Sequence, residues 1–398
     1  MDPKIRLLSI GHSHVVALNR SIFRELGYDR SYEITVASPA EYHSELGIIE
    51  VQPEAAGSPL ALVRLATRRK GSVFIFGYDW RSLVRLIRDG NYDLIHAWEE
   101  PYIYAGYEIA RAVAVAAGEQ TAFCFRTAQS LPKRYFPPFG YFERTCVERA
   151  DGWIAGGQLV FEALVRHGYP AERGRILSLA VDTGAFTPLD AGARALVRKE
   201  LGLESPILGY VGRLSAPKGI DVMLKAIERL DSRRSWSLLV LGAGPLEKTI
   251  VQWARSRGWE NRVRVMLVPH RDVPRYLATM DLLIAPSLTT RSWKEQFGRM
   301  VIEAFACGVP VISSNSGELP YVIGDAGWIV PEGEPGALTR AIEEGLDNPE
   351  HTANIARIGL KRAQNYSAQT LAKQFDEYYR SLIEQKLRSQ TPRQTAQK

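Results

Sequence analysis

Residues 281–314 read DLLIAPSLTTRSWKEQFGRMVIEAFACGVPVISS. An apolar run ends at Pro286-Ser287, a helical pattern extends from about Gln296 to Cys307, and a second apolar run begins at Val309. A strand, a helix and a strand in this order are typical of a βαβ unit with two parallel strands. The stretch therefore predicts an α/β fold.

The same alternation continues along the rest of the chain and pauses at residues 182–193. This segment, DTGAFTPLDAGA, is rich in glycine, proline and small residues, which is typical of a linker. We therefore expect two Rossmann-like, doubly wound domains, residues 1–185 and 193–365. Further strands are predicted to begin at Lys4, Glu33, Val73, Tyr92, Thr121, Gly152, Arg175, Pro206, Trp236, Arg262 and Trp328.

The composition is that of a globular protein. The chain has 398 residues, 45% hydrophobic and 24% charged, which suits two domains of ordinary size. The formal net charge is +6. Basic runs at residues 68–70 and 81–88 are interpreted either as solvated helix faces or as contacts with anionic lipid or an anionic acceptor. Because no basic repeat is interleaved with aromatic residues, nucleic acid is not an expected partner.

Cysteine use and apolar runs bear on location. Cys124, Cys146 and Cys307 form no CxxC pair, which indicates free thiols in a reducing compartment. The apolar run near the N-terminus is too short for a signal peptide. The apolar stretch at 103–117 carries charges and is too short to cross a bilayer. We predict a cytoplasmic protein, and peripheral contact with the inner face of the membrane stays open.

A basic motif follows the predicted strand that begins at Pro206. It reads Gly212-Arg-Leu-Ser-Ala-Pro-Lys218, and ligands of open α/β sheets bind at the carboxyl ends of strands. Gly212 allows close backbone approach. Arg213 offers a planar fork to phosphate oxygens, and Lys218 adds a point charge. The alternative is a turn with two exposed basic residues.

Two carboxylates flank the turn within residues 281–314. Glu295 precedes the turn and could bind sugar hydroxyls, whereas Glu303 lies one turn inside the helix and could bind both hydroxyls of a ribose. Free backbone N–H groups at the helix entry, Gln296 to Arg299, can hold an anion. The alternative is a capping carboxylate plus a solvated one. Together with the basic motif, the pair predicts a nucleotide-sugar site.

The first half of the chain offers two further candidates. His96 ends the strand predicted from Tyr92 and could hydrogen-bond a transferred sugar or be a structural histidine. Glu99 and Glu100, which follow, could orient an acceptor hydroxyl or begin the next helix. Gly11-His12-Ser13-His14 lies in the first strand-to-helix loop and could meet phosphates or the acceptor. No acidic or cysteine cluster supports a metal there.

These motifs resemble those of the retaining family-4 glycosyltransferases of the GT-B fold. The likeness rests on Gly212-Arg213 with Lys218, on Glu295-Gln-Phe-Gly298, and on Glu303. It implies two Rossmann-like domains that face an interdomain cleft. It also implies an acceptor in the first domain, the nucleotide sugar in the second, and a last helix, about 368–386, that packs back on the first domain.

The resemblance also implies roles for individual residues. The implied catalytic residues are Arg213 and Lys218 on the donor diphosphate, Glu295 on the donor sugar and His96 on the transferred sugar. The implied donor-binding residues are Gly212, Phe297, Gly298, Arg299, Glu303, Val268 in the base-side loop and Gly11 in the first loop. The sequence departs from the family where a Gly-Gly pair is often found, because here the loop reads Gly11-His12.

The implied reaction moves a hexosyl group from a nucleotide-diphosphate sugar to an acceptor hydroxyl with retention, in polysaccharide or glycolipid assembly. UDP-, GDP- and ADP-linked donors stay open, as do saccharide and lipid-linked acceptors. No cofactor and no metal are expected beyond the co-substrate. The alternatives are a nucleotide-sugar-binding protein without transfer activity and a GT-B epimerase or phosphorylase. A dinucleotide oxidoreductase is disfavoured because Glu247 leaves the Gly242-Ala-Gly244 fingerprint incomplete.

Overall fold

A computed structural model describes residues 4–44, 47–69, 71–131, 133–230 and 232–390. Lys70, part of the first basic run, lies outside the described residues. The chain divides into two compact units. Unit 1 comprises Met1–Ala180 and Ala368–Lys398, and unit 2 comprises Val181–Ser367.

Unit 1 contains a parallel sheet. Its strands are β1 (Ile5–Ile10), β2 (Tyr32–Pro39), β3 (Glu41–Ser44), β4 (Gly47–Glu50), β5 (Leu60–Leu65), β6 (Thr67–Arg68), β7 (Gly77–Tyr78), β8 (Leu94–Ala97), β9 (Ala122–Thr127), β10 (Gly152–Ala155) and β11 (Gly174–Ile176). Seven of them pair in the order β11-β10-β9-β8-β1-β2-β5, whereas β3–β4 and β6–β7 are short antiparallel pairs. The reversal of order around β1 is that of a doubly wound fold.

Helices cover both faces of this sheet. They are α1 (Ser21–Tyr28), α2 (Trp80–Gly90), α3 (Tyr104–Ala116), α4 (Phe139–Arg149) and α5 (Gln158–Arg166). Successive side chains of a strand point to opposite faces, so each strand contributes to two cores. In β1, Leu8 belongs to the core on the α2–α5 side, and Leu7 belongs to the core that includes Phe23 of α1.

Unit 2 repeats the architecture. Its strands are β12 (Ile207–Val211), β13 (Ser237–Leu241), β14 (Val263–Met266), β15 (Leu282–Ala285), β16 (Val311–Ser314) and β17 (Gly327–Val330). Its helices are α6 (Ala191–Leu201), α7 (Ile220–Ile227), α8 (Glu247–Arg255), α9 (Val273–Leu277), α10 (Arg299–Ala306), α11 (Leu319–Ile323), α12 (Pro335–Asp347) and α13 (Pro349–Ala363). The strands pair in parallel in the order β14-β13-β12-β15-β16-β17. The predicted βαβ unit is therefore β15-α10-β16.

The last helix, α14 (Ala368–Gln390), belongs to unit 1. Phe375 and Tyr379 are fully buried in the core that also contains Leu7 and Phe23. Tyr32 of β2 donates a hydrogen bond of 2.7 Å from its hydroxyl to Asp376. The C-terminal helix thus completes the core on one face of the unit 1 sheet.

One predicted strand is wrong. The apolar run that begins at Val73 forms turns, in which the N–H groups of Ile75 and Phe76 donate to the carbonyl of Ser72. Phe74 and Ile75 of this run are exposed by 49% and 44%. The strand at this edge of the sheet is β5, Leu60–Leu65. A short apolar run does not by itself distinguish a strand from a surface cluster.

Candidate functional site

The predicted cationic and acidic motifs of unit 2 lie at one edge of its sheet. The loop Gly212–Lys218 follows β12, and the loop that carries Glu295 follows β15. Strands β12 and β15 are direct parallel neighbours, so their carboxyl ends meet at the same edge. The segment 242–244 supports the first loop, because Leu214 donates its N–H to the carbonyl of Ala243 at 2.9 Å.

Lys218 and Glu295 form a direct ion pair. The Nζ of Lys218 lies 2.5 Å from the Oε2 of Glu295, and the Oγ of Ser287 donates to the same oxygen at 2.9 Å. Glu295 is buried, with 7% of its surface exposed. The Nζ of Lys218 also lies 4.7 Å from the ring centroid of Trp293, a cation–π contact. These contacts hold the ammonium group in one place, where it can meet a phosphate.

The turn after Glu295 leads into helix α10. Gly298, with φ of 76°, is the N-cap residue, and the buried Phe297 packs with its ring centroid 5.6 Å from that of Tyr366. Arg299 is the first residue of the helix. Burial lowers the pKa of the Arg299 guanidinium, while the charge of Glu303 opposes this shift. The N-terminal end of α10 carries a partial positive charge, which favours a bound anion.

Glu303 projects from α10 toward the loop after β14. Its Oε1 lies 3.2 Å from the Nε2 of His270, and the carboxylate is 4% exposed. His270 is close in sequence to Val268, which lies in the same loop and is half-buried. Burial, reinforced by the charge of Glu303, raises the pKa of the neighbouring Cys307 thiol to about 12. Glu303 thus lies next to the predicted base-side loop, and the Cys307 thiol is un-ionised.

A second polar cluster lies at the carboxyl ends of the unit 1 strands. Glu99 accepts hydrogen bonds from the backbone N–H of His12 at 2.6 Å and from its ring Nδ1 at 2.5 Å. The hydroxyl of Tyr78 donates to the same carboxylate at 2.7 Å. Gly11 precedes this contact, and a Cβ at Gly11 would lie only 2.7 Å from the carbonyl oxygen of Trp98. The glycine therefore lets the loops after β1 and β8 approach each other.

Glu100 lies beside this cluster and contacts the next strand. It accepts hydrogen bonds from the Oγ1 of Thr127 at 2.5 Å and from the N–H of Ala128 at 2.8 Å. Burial raises the pKa of the Glu100 carboxyl, and these hydrogen bonds oppose the rise. Helix α3 begins only at Tyr104 and has no acidic residue in its first turn. The interpretation of Glu99 and Glu100 as helix-starting charges is therefore wrong.

His96 lies in the core of unit 1. It shares a face of β8 with Leu94, is fully buried, and lies 2.7 Å through its Nδ1 from the hydroxyl of Tyr379. Burial, with the charge of Arg126, lowers the pKa of His96 to about 3, so the ring is neutral. In this conformation the side chain has no surface through which to contact a sugar.

Between residues 4 and 390, outside the gaps given above, no three His, Cys, Asp or Glu side chains are grouped to hold a metal ion. Over the same ranges, no helix combines the length and the apolar character needed to cross a bilayer.

Two family models match the chain. The model described as Glycosyltransferase Family 4 matches residues 25–185, and that described as Glycosyl transferases group 1 matches residues 194–362. The two matches together cover most of both units. The chain belongs to the GT-B glycosyltransferases of group 1 and family 4. The predicted family and fold class are thereby confirmed.

Curated relatives of this glycosyltransferase include D-inositol 3-phosphate glycosyltransferase of Streptomyces avermitilis, 26% identical over 75% of this chain and 67% of the relative. GDP-mannose-dependent alpha-(1-6)-phosphatidylinositol monomannoside mannosyltransferase of Mycolicibacterium smegmatis is 32% identical over 45% of this chain and 48% of the relative. The glycosyltransferase thus spans about half to two thirds of the length of the curated relatives it matches.

Solved structures share the fold. HepE of Anabaena, solved in complex with UDP, has a TM-score of 0.72 at 20% identity and covers 95% of this chain and 100% of its own. A glycosyltransferase of Rickettsia africae has a TM-score of 0.74 at 15% identity, with coverage of 96% and 99%. At such identities the likeness concerns the fold alone.

Several contacts within the two polar clusters, one in each unit, were not predicted from the sequence. Trp293 and Ser287 contact the Lys218–Glu295 pair, and Tyr78 contacts Glu99. Trp293, a tryptophan in the polar stretch before Glu295, could have been predicted to contact this pair, because binding residues are often found in loops. Tyr78 gave no signal, since it lies 21 residues from Glu99 in the chain.

Proposed function

We propose that this glycosyltransferase moves a hexosyl group from a nucleotide-diphosphate sugar to an acceptor hydroxyl with retention of configuration. The observation that carries the proposal is the Lys218–Glu295 ion pair, which joins the cationic and acidic motifs at one sheet edge of unit 2. Arg213 and Lys218 bind the diphosphate. Glu295, with the backbone of Phe297 and Gly298, holds the sugar. Glu303 binds the ribose beside Val268.

The proposed chemistry needs no protein nucleophile. The acceptor oxygen bonds to the anomeric carbon on the face from which the diphosphate departs, and the carbon–oxygen bond to the diphosphate breaks. The electron pair of that bond stays with the diphosphate, whose oxygen takes the proton of the acceptor hydroxyl. Arg213, Lys218 and the N-terminus of α10 stabilise the charge that develops on the diphosphate. These cationic groups take the role that a metal ion has in other transferases, so we propose metal-independent transfer.

The names of the relatives suggest a chemical class for the acceptor. Their names state action on inositol 3-phosphate and on a phosphatidylinositol monomannoside. We therefore propose that the sugar is transferred to a ring hydroxyl of an inositol-type, saccharide or lipid-linked acceptor, which unit 1 holds.

The three free, buried cysteines support the proposal of a cytoplasmic location.

The experiment that tests the function is a coupled assay of nucleotide-diphosphate release over a panel of UDP-, GDP- and ADP-sugars. Release that requires an acceptor, with a glycosylated product of the same anomeric configuration as the donor, is the expected outcome. Donor binding without release at any acceptor would favour a nucleotide-sugar-binding protein. Conversion of the donor without an acceptor would favour an epimerase.

Removing the carboxylate of Glu303 tests the ribose role. Glu303→Ala is expected to weaken nucleotide-diphosphate affinity roughly tenfold to a hundredfold, since hydrogen bonds to charged groups contribute roughly 1.5–3 kcal/mol. Isothermal titration calorimetry with the nucleotide diphosphate measures this. Glu344→Ala, which removes an exposed carboxylate from α12 of the same unit, is the matched control. Equal dissociation constants for both variants would remove Glu303 from the site.

We also propose peripheral contact with an anionic membrane through one face of unit 1. Helices α2, α3 and α4 pack side by side. Their exposed acidic residues are Asp89 and Glu148. Phe74 and Phe136, exposed by 49% and 84%, lie in the loops before α2 and α4. The exposed arginines of these helices are Arg81, Arg85, Arg88, Arg111, Arg144 and Arg149. Basic charge with exposed aromatic side chains suits an anionic lipid surface.

Phe136→Ser is expected to reduce binding to vesicles that contain phosphatidylglycerol, because it removes the most exposed aromatic side chain of this face. The expected loss in the partition coefficient is roughly tenfold to a hundredfold, from the roughly 1.5–3 kcal/mol of burying a large apolar side chain such as Phe. Co-sedimentation at two salt concentrations measures it. Leu196→Ser, at a side chain of unit 2 that is 70% exposed, is the control. Equal binding of both variants would contradict membrane contact at this face.

A further inference from the structure

We propose that the imidazole of His12 is an acceptor-binding group, whose Nε2–H donates a hydrogen bond to a hydroxyl oxygen of a polyhydroxylated ring. This inference rests on the proposed transferase function and adds to it a specificity-determining residue. It concerns the loop position at which the sequence departs from its family.

Glu99 fixes the orientation of the His12 ring through its Nδ1 side. Both oxygens of Glu99 are used by His12, one by its backbone N–H and one by its Nδ1. The Glu99 side chain is fully buried, and Tyr78 adds a third hydrogen bond to it. A carboxylate held by three donors leaves the imidazole little freedom to rotate. The ring therefore presents a single nitrogen, Nε2, to whatever lies in front of it.

The Nε2 side of the His12 ring is open. The His12 side chain keeps 22% of its surface exposed. Within the described part of the chain, the Nε2 of His12 makes no hydrogen bond, and it is not among the enclosed polar atoms. A nitrogen that is positioned by a buried partner and left open on the other side is a ready donor for a ligand.

Two aromatic residues pack against the His12 ring. The ring centroid of Tyr42 lies 4.7 Å from that of His12, and that of Phe76 lies 5.7 Å away, edge-on. Both aromatic residues also line a small pocket with Glu41, His43, Thr67 and Ser72, to which His12 itself does not contribute. Aromatic side chains beside a hydrogen-bond donor suit the apolar and polar sides of a sugar or cyclitol ring.

The charges around His12 point to a neutral hydroxyl. Burial alone would lower the pKa of His12, but the charge of Glu99, its hydrogen bond and the charge of Glu100 together raise it. The protonated ring and Glu99 sum to zero charge, so the pair has little net attraction for a phosphate. Of the other titratable groups near the ring, His14 is held neutral because burial and nearby cations lower its pKa. Burial, with the charge of Glu99, raises the pKa of Tyr78, which is therefore neutral too.

The proposed role of His12 makes acceptor binding depend on pH. Because the folded-state pKa of His12 lies above its ordinary value, the ring is protonated below that pKa and loses its proton as the pH rises through it. Nδ1 keeps its hydrogen toward Glu99, so deprotonation turns Nε2 from a donor into an acceptor. Acceptor binding is therefore expected to weaken as the pH rises through the pKa of His12. Removing the charge of Glu99 should move this change to lower pH, because that charge is one of the causes that raise the pKa of His12.

The test follows the His12 ring by NMR in the full-length protein. The spectrum of His12→Gln identifies its signal among the 7 histidines. The probes are myo-inositol, methyl α-glucoside and methyl α-mannoside, each titrated with and without nucleotide diphosphate. The expected result is that at least one probe shifts the His12 signal. Glu99→Gln should lower the pH at which that signal titrates. His167→Gln, which removes another histidine paired with a glutamate in unit 1, should leave the signal unchanged.

Kinetics separate this proposal from the transferase function. With a probe that serves as acceptor, His12→Phe is expected to raise the acceptor KM about tenfold, as the loss of a hydrogen bond to a charged donor would. The donor dissociation constant should not change. If Glu99→Gln does not fold, the two His12 variants still decide the question, because His12 is partly exposed.

Two outcomes overturn the role of His12. One is that no probe moves its signal, and the other is that acceptor KM is the same in His12→Phe as in the parent at every pH. A moved His12 signal without any glycosyl product supports the binding role and instead counts against the transferase proposal.

Discussion

Lys218→Ala is expected to lower the rate of sugar transfer on the order of a hundredfold, because one charge-stabilising donor at a transition state contributes about that factor. The Nζ of Lys218 is held by Glu295 and lies over the ring of Trp293. A cation fixed in this way needs no reorganisation when the diphosphate departs. The effect should appear in kcat more than in the donor KM, since charge on the leaving group is greatest in the transition state. Steady-state kinetics at saturating acceptor measure both.

Lys225→Ala is the matched control, because Lys225 is an exposed lysine on α7, a few residues further along the chain. Lys218→Ala also leaves Glu295 buried with Ser287 as its remaining partner, which lowers stability. A melting curve therefore accompanies each rate. A folded Lys218→Ala enzyme that keeps the parental kcat would refute the diphosphate role of Lys218.

Gly219→Ala is expected to destabilise unit 2 by about 2–5 kcal/mol, because left-handed backbone costs a residue with a side chain roughly 1–2 kcal/mol and a forced contact roughly 1–3 kcal/mol more. Gly219 has φ of 71°, and a Cβ there would lie 1.8 Å from the carbonyl oxygen of Pro286. Pro286 precedes Ser287, which donates to Glu295. The clash therefore pushes apart the loops after β12 and β15, and we expect sugar transfer to fall with stability. Urea unfolding followed by fluorescence measures the free energy.

Gly258→Ala separates the cost of the left-handed backbone from the cost of the clash at Pro286. Gly258 has nearly the same φ, 70°, but a Cβ there would have no neighbour within 4 Å. Its expected cost is the left-handed backbone term alone, about 1 kcal/mol. If both variants lose the same free energy of unfolding, the close approach at Pro286 has no energetic weight.

Much of the fold follows from local pattern. The βαβ unit of residues 281–314 is predicted because its strands are short apolar runs and its helix has apolar residues at helical spacing. The local pattern does not predict strand β5 and predicts a strand at Val73 instead. Both are short apolar segments, and only their partners distinguish them. The partner of β5 is β2, and the run at Val73 has none among the described strands.

The site is less predictable than the fold. Sequence places Lys218 and Glu295 at the same sheet edge, because both follow strands of one parallel sheet. It does not give their direct contact, which depends on rotamers and on Ser287. His96 shows the limit most clearly. The sequence places His96 at the end of a strand but does not say whether its side chain faces the core or a ligand. A shift of one residue in the strand would turn the side chain to the opposite face of the sheet. Here it points into the core with Tyr379.

The place of α14 has a consequence for synthesis on the ribosome. Unit 2 is a continuous segment, Val181–Ser367, whereas unit 1 begins before it and ends after it. Domains generally fold as they emerge, and here the second unit is complete before the first. Until α14 leaves the ribosome, the unit 1 core around Phe23 lacks Phe375 and Tyr379. Helix α14, which is made after unit 2, thus completes a core whose other elements are made before unit 2.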